Sequence, residues 1–391
     1  MTAKMISVDE AWSIVGAHAV NTAVETVPLR EAVGRTLALP IIAQLTQPPL
    51  TVSAMDGYGV MYSDVEAGGA DLVVIGEAPA GRLFPGRVTT GQAVRIFTGG
   101  ALPDGADHVV IQEHVHRSGD LIHIPEAEAG PKHVRKAGID FHQGDELLAA
   151  GVTLGPAQIA IAAAGNHAQV SVHRRPRIAL IANGDELKPA GSTLGPGEII
   201  ASNGYGLAAL IESWGGEAMD LGIAPDHPAA IDEMIDSAKG ADIILPVGGA
   251  SVGDHDHMRS VFSARGLDMV FEKVAVKPGK PTWFGKLDAA LVLGLPGNPA
   301  SAWVCAHLFL KPLMARRNTL VETSQLSGPV PSNGPRESFL RARRSRDGVT
   351  AVANQDSSLL TPFLTSNVLI RRRPHAPAAA LGDMVEVVAL G

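Results

Sequence analysis

The sequence predicts a multidomain protein of mixed α/β plus β class, with a central doubly wound α/β domain between β-rich segments. Three observations carry that expectation. The chain has 391 residues, beyond the roughly 250–300 at which a single hydrophobic core stops growing. Between about 177 and 320, apolar strand runs alternate with helical stretches, the pattern of right-handed crossovers over a mostly parallel sheet. On either side, short Val/Ile runs are broken by glycine and proline, as in all-β modules. The 43 glycines and 27 prolines mark many turns, yet stay below the roughly 25–30% of low-complexity chains.

The elements follow in order. Ser7 and Glu10 form a capping box that opens a short amphipathic helix. Residues 28–52 and 71–151 read as short strands separated by turns. At Arg177 the pattern changes. Residues 178–182 form a buried strand, and 203–214 a helix stopped by Gly215-Gly216. A strand at 217–223 leads to a helix from Pro228 to Lys239, with proline at its first position. Strands at 242–247, 269–276 and 290–293 follow, with helices at 257–264 and 299–313. Beyond Gly328, Asp347-Gly348 marks a hairpin turn between 339–344 and 349–353. A last strand is expected at 384–390.

Lys+Arg 32 against Asp+Glu 40 gives a formal charge of −8, which argues against a general nucleic-acid or anionic-membrane binder. One cysteine makes neither an intrachain disulfide nor a Cys-based zinc site. Residues 1–20 carry acids and lack the apolar core of a secretory signal. The longest apolar run, 147–165, is cut by Gly151, Gly155 and Pro156 and is too broken to span a bilayer. These readings point to a cytoplasmic protein.

In a doubly wound sheet, ligands bind beyond the carboxyl ends of the strands. Four loops fall there: Asn183 to Glu186, Gly248 to Asp256, Lys277 to Pro281, and Leu295 to Ser301. Gly248, Gly249 and Gly253, with Ser251 among them, allow backbone N–H groups close to a ligand ahead of a helix. The same glycines would serve a tight turn equally well. Pro296-Gly297-Asn298-Pro299 starts another helix, with Asn298 as N-cap. Lys277 and Lys280 flank Pro278-Gly279, and two fixed ammonium groups suit phosphate or another oxyanion. Asp185, Glu186, Asp226, Asp254 and Asp256 offer oxygen ligands for magnesium, although Asp185 and Asp254 taken singly read better as caps. His114/His116 and His255/His257 have chelating spacing but no third ligand in register. Arg371, Arg372 and Arg373 read as a solvated strand edge, and Cys305 as packed and inert.

The motifs SAMDGYGV, IFTGGALPDGADHVV, NGDEL, GGASVGDHDH, VKPGKPTWFG and GLPGNPAS occur in this order. With them the chain resembles the molybdopterin molybdenumtransferases, the bacterial MoeA family related to the plant and gephyrin E domains. The resemblance covers essentially the whole length. It implies an N-terminal elongated domain (1–26, 45–55 and 141–176), an inserted β lid (27–44 with 56–140), a molybdopterin-binding-like α/β domain (177–325) and a small C-terminal β-barrel (326–391). It implies insertion of molybdate into adenylylated molybdopterin with release of AMP, magnesium taking part, by a homodimer. Transient contact with molybdopterin adenylyltransferase and with molybdoenzyme-maturation proteins is implied too.

Carried over by motif, Asp56, Thr98, Asp140, Glu186, Asp226 and Asp256 match cleft positions of the family, with Glu186 and Asp256 as metal ligands. Lys277, Lys280, Ser251 and Ser301 match positions near the oxyanion, and Arg341 and Ser357 match positions facing the site from the tail. Asn183 stands where the family usually has Ser or Thr, and the 355–362 segment departs most from its pattern. Two other readings share the fold. One is the preceding adenylyl transfer, against which Gly-Gly-Ala-Ser-Val-Gly stands in place of Gly-Gly-Thr-Gly. The other is a non-enzymatic scaffold.

Overall fold

The computed structural model describes residues 5–127, 129–248, 257–315 and 319–391. The chain divides into two compact units, Met1–Ala23 with Arg174–Gly391, and Val24–His173.

The first unit is built on a six-stranded sheet in the order Glu217–Ala224, Arg177–Asn183, Ile243–Val247, Ala290–Gly294, Trp283–Leu287, Asp268–Phe271. The first four strands pair in parallel, and the fifth runs antiparallel to both the fourth and the sixth. Successive side chains of a strand point to opposite faces, and the core divides accordingly. Ile178 and Leu180 pack with Leu207, Ile211 and Leu308 on one face. Ala179 and Ile181 pack with Ile231, Ile235, Met258 and Phe262 on the other. Helices therefore cover both faces, and the doubly wound architecture stands.

Two details differ from expectation. The strand Trp283–Leu287 had no turn dipeptide to announce it. It folds back on Ala290–Gly294 through Asp288, which takes the left-handed conformation at φ 52°. The single strand expected at 269–276 is instead three short pieces with separate partners. Asp268–Phe271 edges the sheet, Lys273–Val274 pairs with Met5–Ile6, and Val276–Lys277 pairs with Glu337–Ser338.

The tail is a small barrel of Val321–Gln325, Glu337–Ser345, Gly348–Ala351, Val368–Arg372 and Met384–Ala389. A bridge between Leu326 and Val349 closes the ring. Because Val321–Gln325 pairs with Met384–Ala389, the barrel begins before the expected boundary at 326. The N-terminal helix Val8–Ala17 is capped by Ser7, whose Oγ accepts the Glu10 N–H at 3.1 Å. Its stripe of Val8, Ala11 and Val15 buries against the α/β core, so residues 8–17 belong with that core and not with 141–176. Arg371 corrects the solvated-edge reading. Its side chain is 3% exposed, ion-paired to the equally buried Glu337 and to Asp9, and lies over the Trp12 ring at 4.6 Å.

In the second unit, Val24–Pro28 pairs with Gln169–His173, and Ile41–Ile42 with Glu146–Leu148. Val27, Leu37, Leu154 and Val172 form their common core. Segment 27–44 therefore joins 146–173, not the 56–140 segment with which it was grouped, because its apolar positions bury there. A six-stranded sheet holds Gly57–Val60 between His108–Ile111 and Gln92–Ile96, followed by Ala70–Ala78, Leu121–Ile124 and His116–Ser118. Among the described residues no helix is long and apolar enough to cross a membrane.

Candidate functional site

The parallel strands of the first unit end on a cavity of about 590 Å³. Asn183, Glu186, Asn203, Gly248, Pro281, Pro296, Gly297, Asn298, Pro299 and Ser358 are among its lining residues. All four loops expected at one sheet edge thus contribute to a single cavity. A second cavity of about 480 Å³ adjoins it, sharing Ala182, Leu187, Ala201 and Gly204, and is lined further by Asp185, Lys188, Tyr205 and Pro225.

Backbone close approach shapes the floor of the first cavity. Gly248 has φ +97°, and a Cβ there would lie 2.7 Å from the Asn183 carbonyl oxygen. A Cβ on Gly297 would lie 3.4 Å from the Gly248 Cα. Gly248 is not replaceable without moving the Asn183 loop, whereas a Cβ at Gly297 would only reach ordinary contact with the Gly248 backbone. The Gly248 N–H donates to Leu295 O at 3.1 Å, so it stitches loops together and is not free for a ligand. The N–H groups of Gly297 and Asn298 donate to no described residue, and both residues line the cavity.

The helix Pro299–Cys305 starts there without the expected side-chain cap. Asn298 occupies the N-cap position but makes no capping bond. Its Nδ2 reaches Ser357 Oγ at 3.2 Å, and the Ala300 N–H donates to Ser357 O at 2.9 Å. The barrel segment 354–359 therefore supplies the cap. Arg341 holds that segment in place. It is 1% exposed and donates to Leu359 O at 2.7 Å, Asp356 O at 2.9 Å and Asn354 O at 3.3 Å. The ring of Phe363 lies 5.4 Å beneath it, and burial lowers the pKa of the guanidinium. The expectation that Arg341 and Ser357 face the ligand is corrected: Arg341 works behind the site, Ser357 caps the helix, and the neighbouring Ser358 lines the cavity. Ser301 is 4% exposed within the helix and lies outside the lining.

Lys277 and Lys280 are exposed on either side of Pro278-Gly279. Gly279, at φ +115°, packs where a Cβ would overlap Cys305 Sγ. The cysteine is fully buried and its thiol is pushed up to about 12 by that burial, against a hydrogen bond from Thr282. It is the inert packing residue the sequence indicated, and it presses on the lysine loop. Pro281 reaches the cavity lining, whereas neither lysine does.

Of the carboxylates, Glu186 is exposed in the cavity lining. Asp185 accepts the Asp226 N–H at 2.9 Å, bracing two loops. The Oδ1 of Asp226 is buried and accepts no hydrogen bond from a described residue. Gly249, Ser251, Gly253, Asp254, His255 and Asp256 lie outside the described residues. Among the described residues no group of three or more His, Cys, Asp or Glu side chains is arranged to hold a metal. That includes His114 and His116, of which the first ends a 3-10 turn and the second begins a strand, so the two do not share one strand face.

In the second unit, the antiparallel pairing of Gly57 with Ile96 brings Asp56 and Thr98 together. Both the N–H and the hydroxyl of Thr98 donate to Asp56 Oδ1, at 2.7 and 2.9 Å. The Thr98 N–H first, then its hydroxyl, holds the Asp56 carboxyl below the usual range. Arg95 adds a favourable charge and lies over the rings of Phe97 and Tyr58. Asp140 is exposed on a turn whose N–H donates to Gln47 O at 3.2 Å.

Sequence reasoning missed Asn203, which had been read only as the start of a helix. Its Nδ2 donates to Gly297 O at 2.7 Å. The signal was its position: an amide in the first turn of Ser202–Ser213, beyond a strand of the ligand edge.

Comparison with known proteins finds three family models in succession. The MoeA N-terminal region (domain I and II) matches residues 6–165, a probable molybdopterin binding domain matches 179–316, and the MoeA C-terminal region (domain IV) matches 323–390. A molybdopterin molybdenumtransferase of Nostoc sp. is 39% identical over 306 residues, 76% of this chain and 70% of the relative. The molybdopterin molybdenumtransferase of Haemophilus influenzae is 32% identical over 98% of both chains. The solved molybdopterin biosynthesis MoeA protein of Pyrococcus horikoshii superposes with a TM-score of 0.86 at 28% identity, covering 99% of this chain and 100% of that one.

Proposed function

The chain belongs to the MoeA family of molybdopterin molybdenumtransferases, and from that premise we propose that its cavity is where molybdate is inserted into adenylylated molybdopterin, with AMP released. Family membership makes it a transferase of molybdenum cofactor biosynthesis. The observation that carries the finer reading is the convergence of four loops on one cavity whose Gly297 and Asn298 N–H groups have no described acceptor. Molybdate is a dianion and the pterin bears phosphate. Preorganised N–H donors in a partly desolvated site stabilise such charge without reorganising.

The chain's task in this reading is positioning. The Gly248 N–H bond to Leu295 O ties the two glycine loops together, and Arg341 fixes the segment whose Ser357 sets Asn298. Lys277 and Lys280 supply positive charge beside Pro281, Lys280 next to it in the chain. Holding the dithiolene against the oxyanion in a near-attack arrangement lowers the barrier by pre-ordering the reactants. The substrate sulfurs and oxygens do the bond-making, so no protein nucleophile is needed, and the only cysteine is buried and protonated. Asp56, Thr98 and Asp140 are the proposed functional residues of the second unit.

Magnesium is part of the proposal. The donor chemistry fits: Glu186 offers an exposed carboxylate, the buried Oδ1 of Asp226 lacks a donor, and hard oxygen ligands suit this ion. Glu186 would hold it together with Asp256. When bound, it would neutralise charge on the pyrophosphate. A cytoplasmic homodimer that meets molybdopterin adenylyltransferase and maturation proteins transiently completes the reading. Expression of this chain in a bacterial strain lacking its own family member tests it. Restored molybdoenzyme activity is expected, and no restoration by a well-expressed chain would refute the reading.

A further inference from the structure

We propose that the second cavity holds the adenosine of the adenylylated substrate, its base stacked on Tyr205 and its ribose hydroxyls bonded to Asp220 and Asp185. The inference rests on the substrate reading above. This cavity, of about 480 Å³, adjoins the first and shares part of its lining, so one extended molecule can occupy both. Tyr205 stands in the first turn of Ser202–Ser213 and is 52% exposed where it lines the cavity. Its hydroxyl accepts the Ala190 N–H at 3.3 Å, which holds the ring in one orientation. Asp220 lines the cavity from an irregular point of the edge strand. Leu180 pairs with Asp220 but Ala182 pairs with Ile223, one residue extra, and Gly222 between them takes φ +88°. Bulges are rare between parallel strands, and beside functional sites they re-aim a side chain.

The lining chemistry selects the group. Asp185 and Asp220 are exposed carboxylates, and the ammonium of Lys188 is paired with Glu198 at 3.2 Å. A phosphate or molybdate would meet like charge here. The oxyanions therefore belong to the first cavity, and an uncharged part of the substrate to the second. Asp185 Oδ1 accepts the Asp226 N–H at 2.9 Å, and Asp220 Oδ1 the Gly222 N–H at 3.0 Å. Each carboxylate keeps an Oδ2 with no donor among the described residues. That of Asp220 lies 3.9 Å from where a Gly204 Cβ would stand, against the lining that both cavities share. The pterin's amide-and-amine edge calls for both oxygens of one carboxylate, which here are not both open. Two single acceptors on separate elements suit two separate hydroxyls, and a carboxylate on a ribose hydroxyl is a recurrent nucleotide contact. An open tyrosine face suits the base, since any nucleobase offers a π-face for stacking.

The test compares AMP with dideoxy-AMP, which lacks both ribose hydroxyls, each titrated into the full chain by calorimetry. Wild type should prefer AMP about a hundredfold, from two hydrogen bonds to charged groups at about tenfold each. Asp220→Ala should cut the preference to about tenfold, whereas a merely structural role for Asp220 would weaken both ligands alike. Tyr205→Ala should weaken both about tenfold through lost stacking and leave their ratio unchanged. Tyr205→Phe should restore the binding. No preference in wild type, an unchanged ratio in Asp220→Ala, or full AMP affinity in Tyr205→Ala overturns the assignment. Pterin binding that Tyr205→Ala weakens while AMP binding is kept would give the cavity to the pterin and overturn it too. The substrate reading fails separately: wild type with the ribose preference that releases no AMP from adenylylated molybdopterin would refute the reaction and leave the adenosine site standing.

Discussion

Arg341→Met separates a residue that grips substrate from one that holds up the site. The guanidinium makes two short bonds, to Leu359 O at 2.7 Å and Asp356 O at 2.9 Å, and two longer ones at 3.3 and 3.4 Å. Charged hydrogen bonds contribute roughly 1.5–3 kcal/mol each. The longer pair adds little, and the exposed Asn354 and Asp356 can rehydrate. Methionine refills part of the volume over Phe363. The net loss should be about 2–4 kcal/mol. All four tryptophans, Trp12, Trp214, Trp283 and Trp303, lie in the first unit, so urea unfolding followed by tryptophan emission reports that unit alone. At a slope of about 2–3 kcal/mol per molar, the midpoint should fall by about 1 M. Turnover should fall as well, because Ser357 would no longer hold Asn298 and Ala300. An unchanged midpoint with a raised KM for molybdate would refute the supporting role and make Arg341 a ligand contact.

The remaining predictions concern the same supports. Arg371→Ala strands the buried Glu337, leaves Asp9 paired with Arg373 alone and uncovers Trp12, and should cost about 3–5 kcal/mol in thermal unfolding of the first unit; a loss under about 1 kcal/mol would contradict the buried clamp. Gly279→Ala should destabilise by about 2–5 kcal/mol, from positive φ and overlap with Cys305. Cys305→Ala in the same chain should recover the overlap part and leave the backbone part, whereas full additivity would sink the contact. The depressed pKa of Asp56 makes it stabilising above the unfolded carboxyl value, with that contribution lost as pH falls through the folded one. Asp56→Asn should therefore be less stable than wild type at pH 7, with a gap that narrows below about pH 4. A gap independent of pH by circular dichroism would show that the Thr98 bonds do not act on the charge.

Legibility in the sequence followed the range of the interaction. The α/β domain was readable because unbroken apolar runs such as 178–182 alternate with stretches of helix length, and the strand's two faces are then covered by helices. The loops were readable because the topology of parallel strands puts their ends together. Trp283–Leu287 was not, since its turn relies on Asp288 in a left-handed conformation and not on a glycine dipeptide. Nor were the partners of long polar side chains. Arg341 and Arg371 looked like a ligand group and a solvated charge, and only tertiary packing chooses carbonyls for one and Glu337 for the other. The choice of Ser358 over Ser357 turns on a shift of one residue in an irregular segment, where no periodicity speaks. Asn203 was hidden because its bond to the Gly297 carbonyl joins positions 94 residues apart, which only the fold brings together.

The central claim is that this cavity couples AMP release to molybdate insertion by positioning and charge stabilisation, with no protein nucleophile. Its most direct test is single-turnover AMP release from adenylylated molybdopterin with magnesium, titrated with molybdate. The account predicts one AMP per molybdopterin, at a rate that rises with molybdate and saturates, and almost none without it. AMP released at the same rate in the absence of molybdate would contradict it.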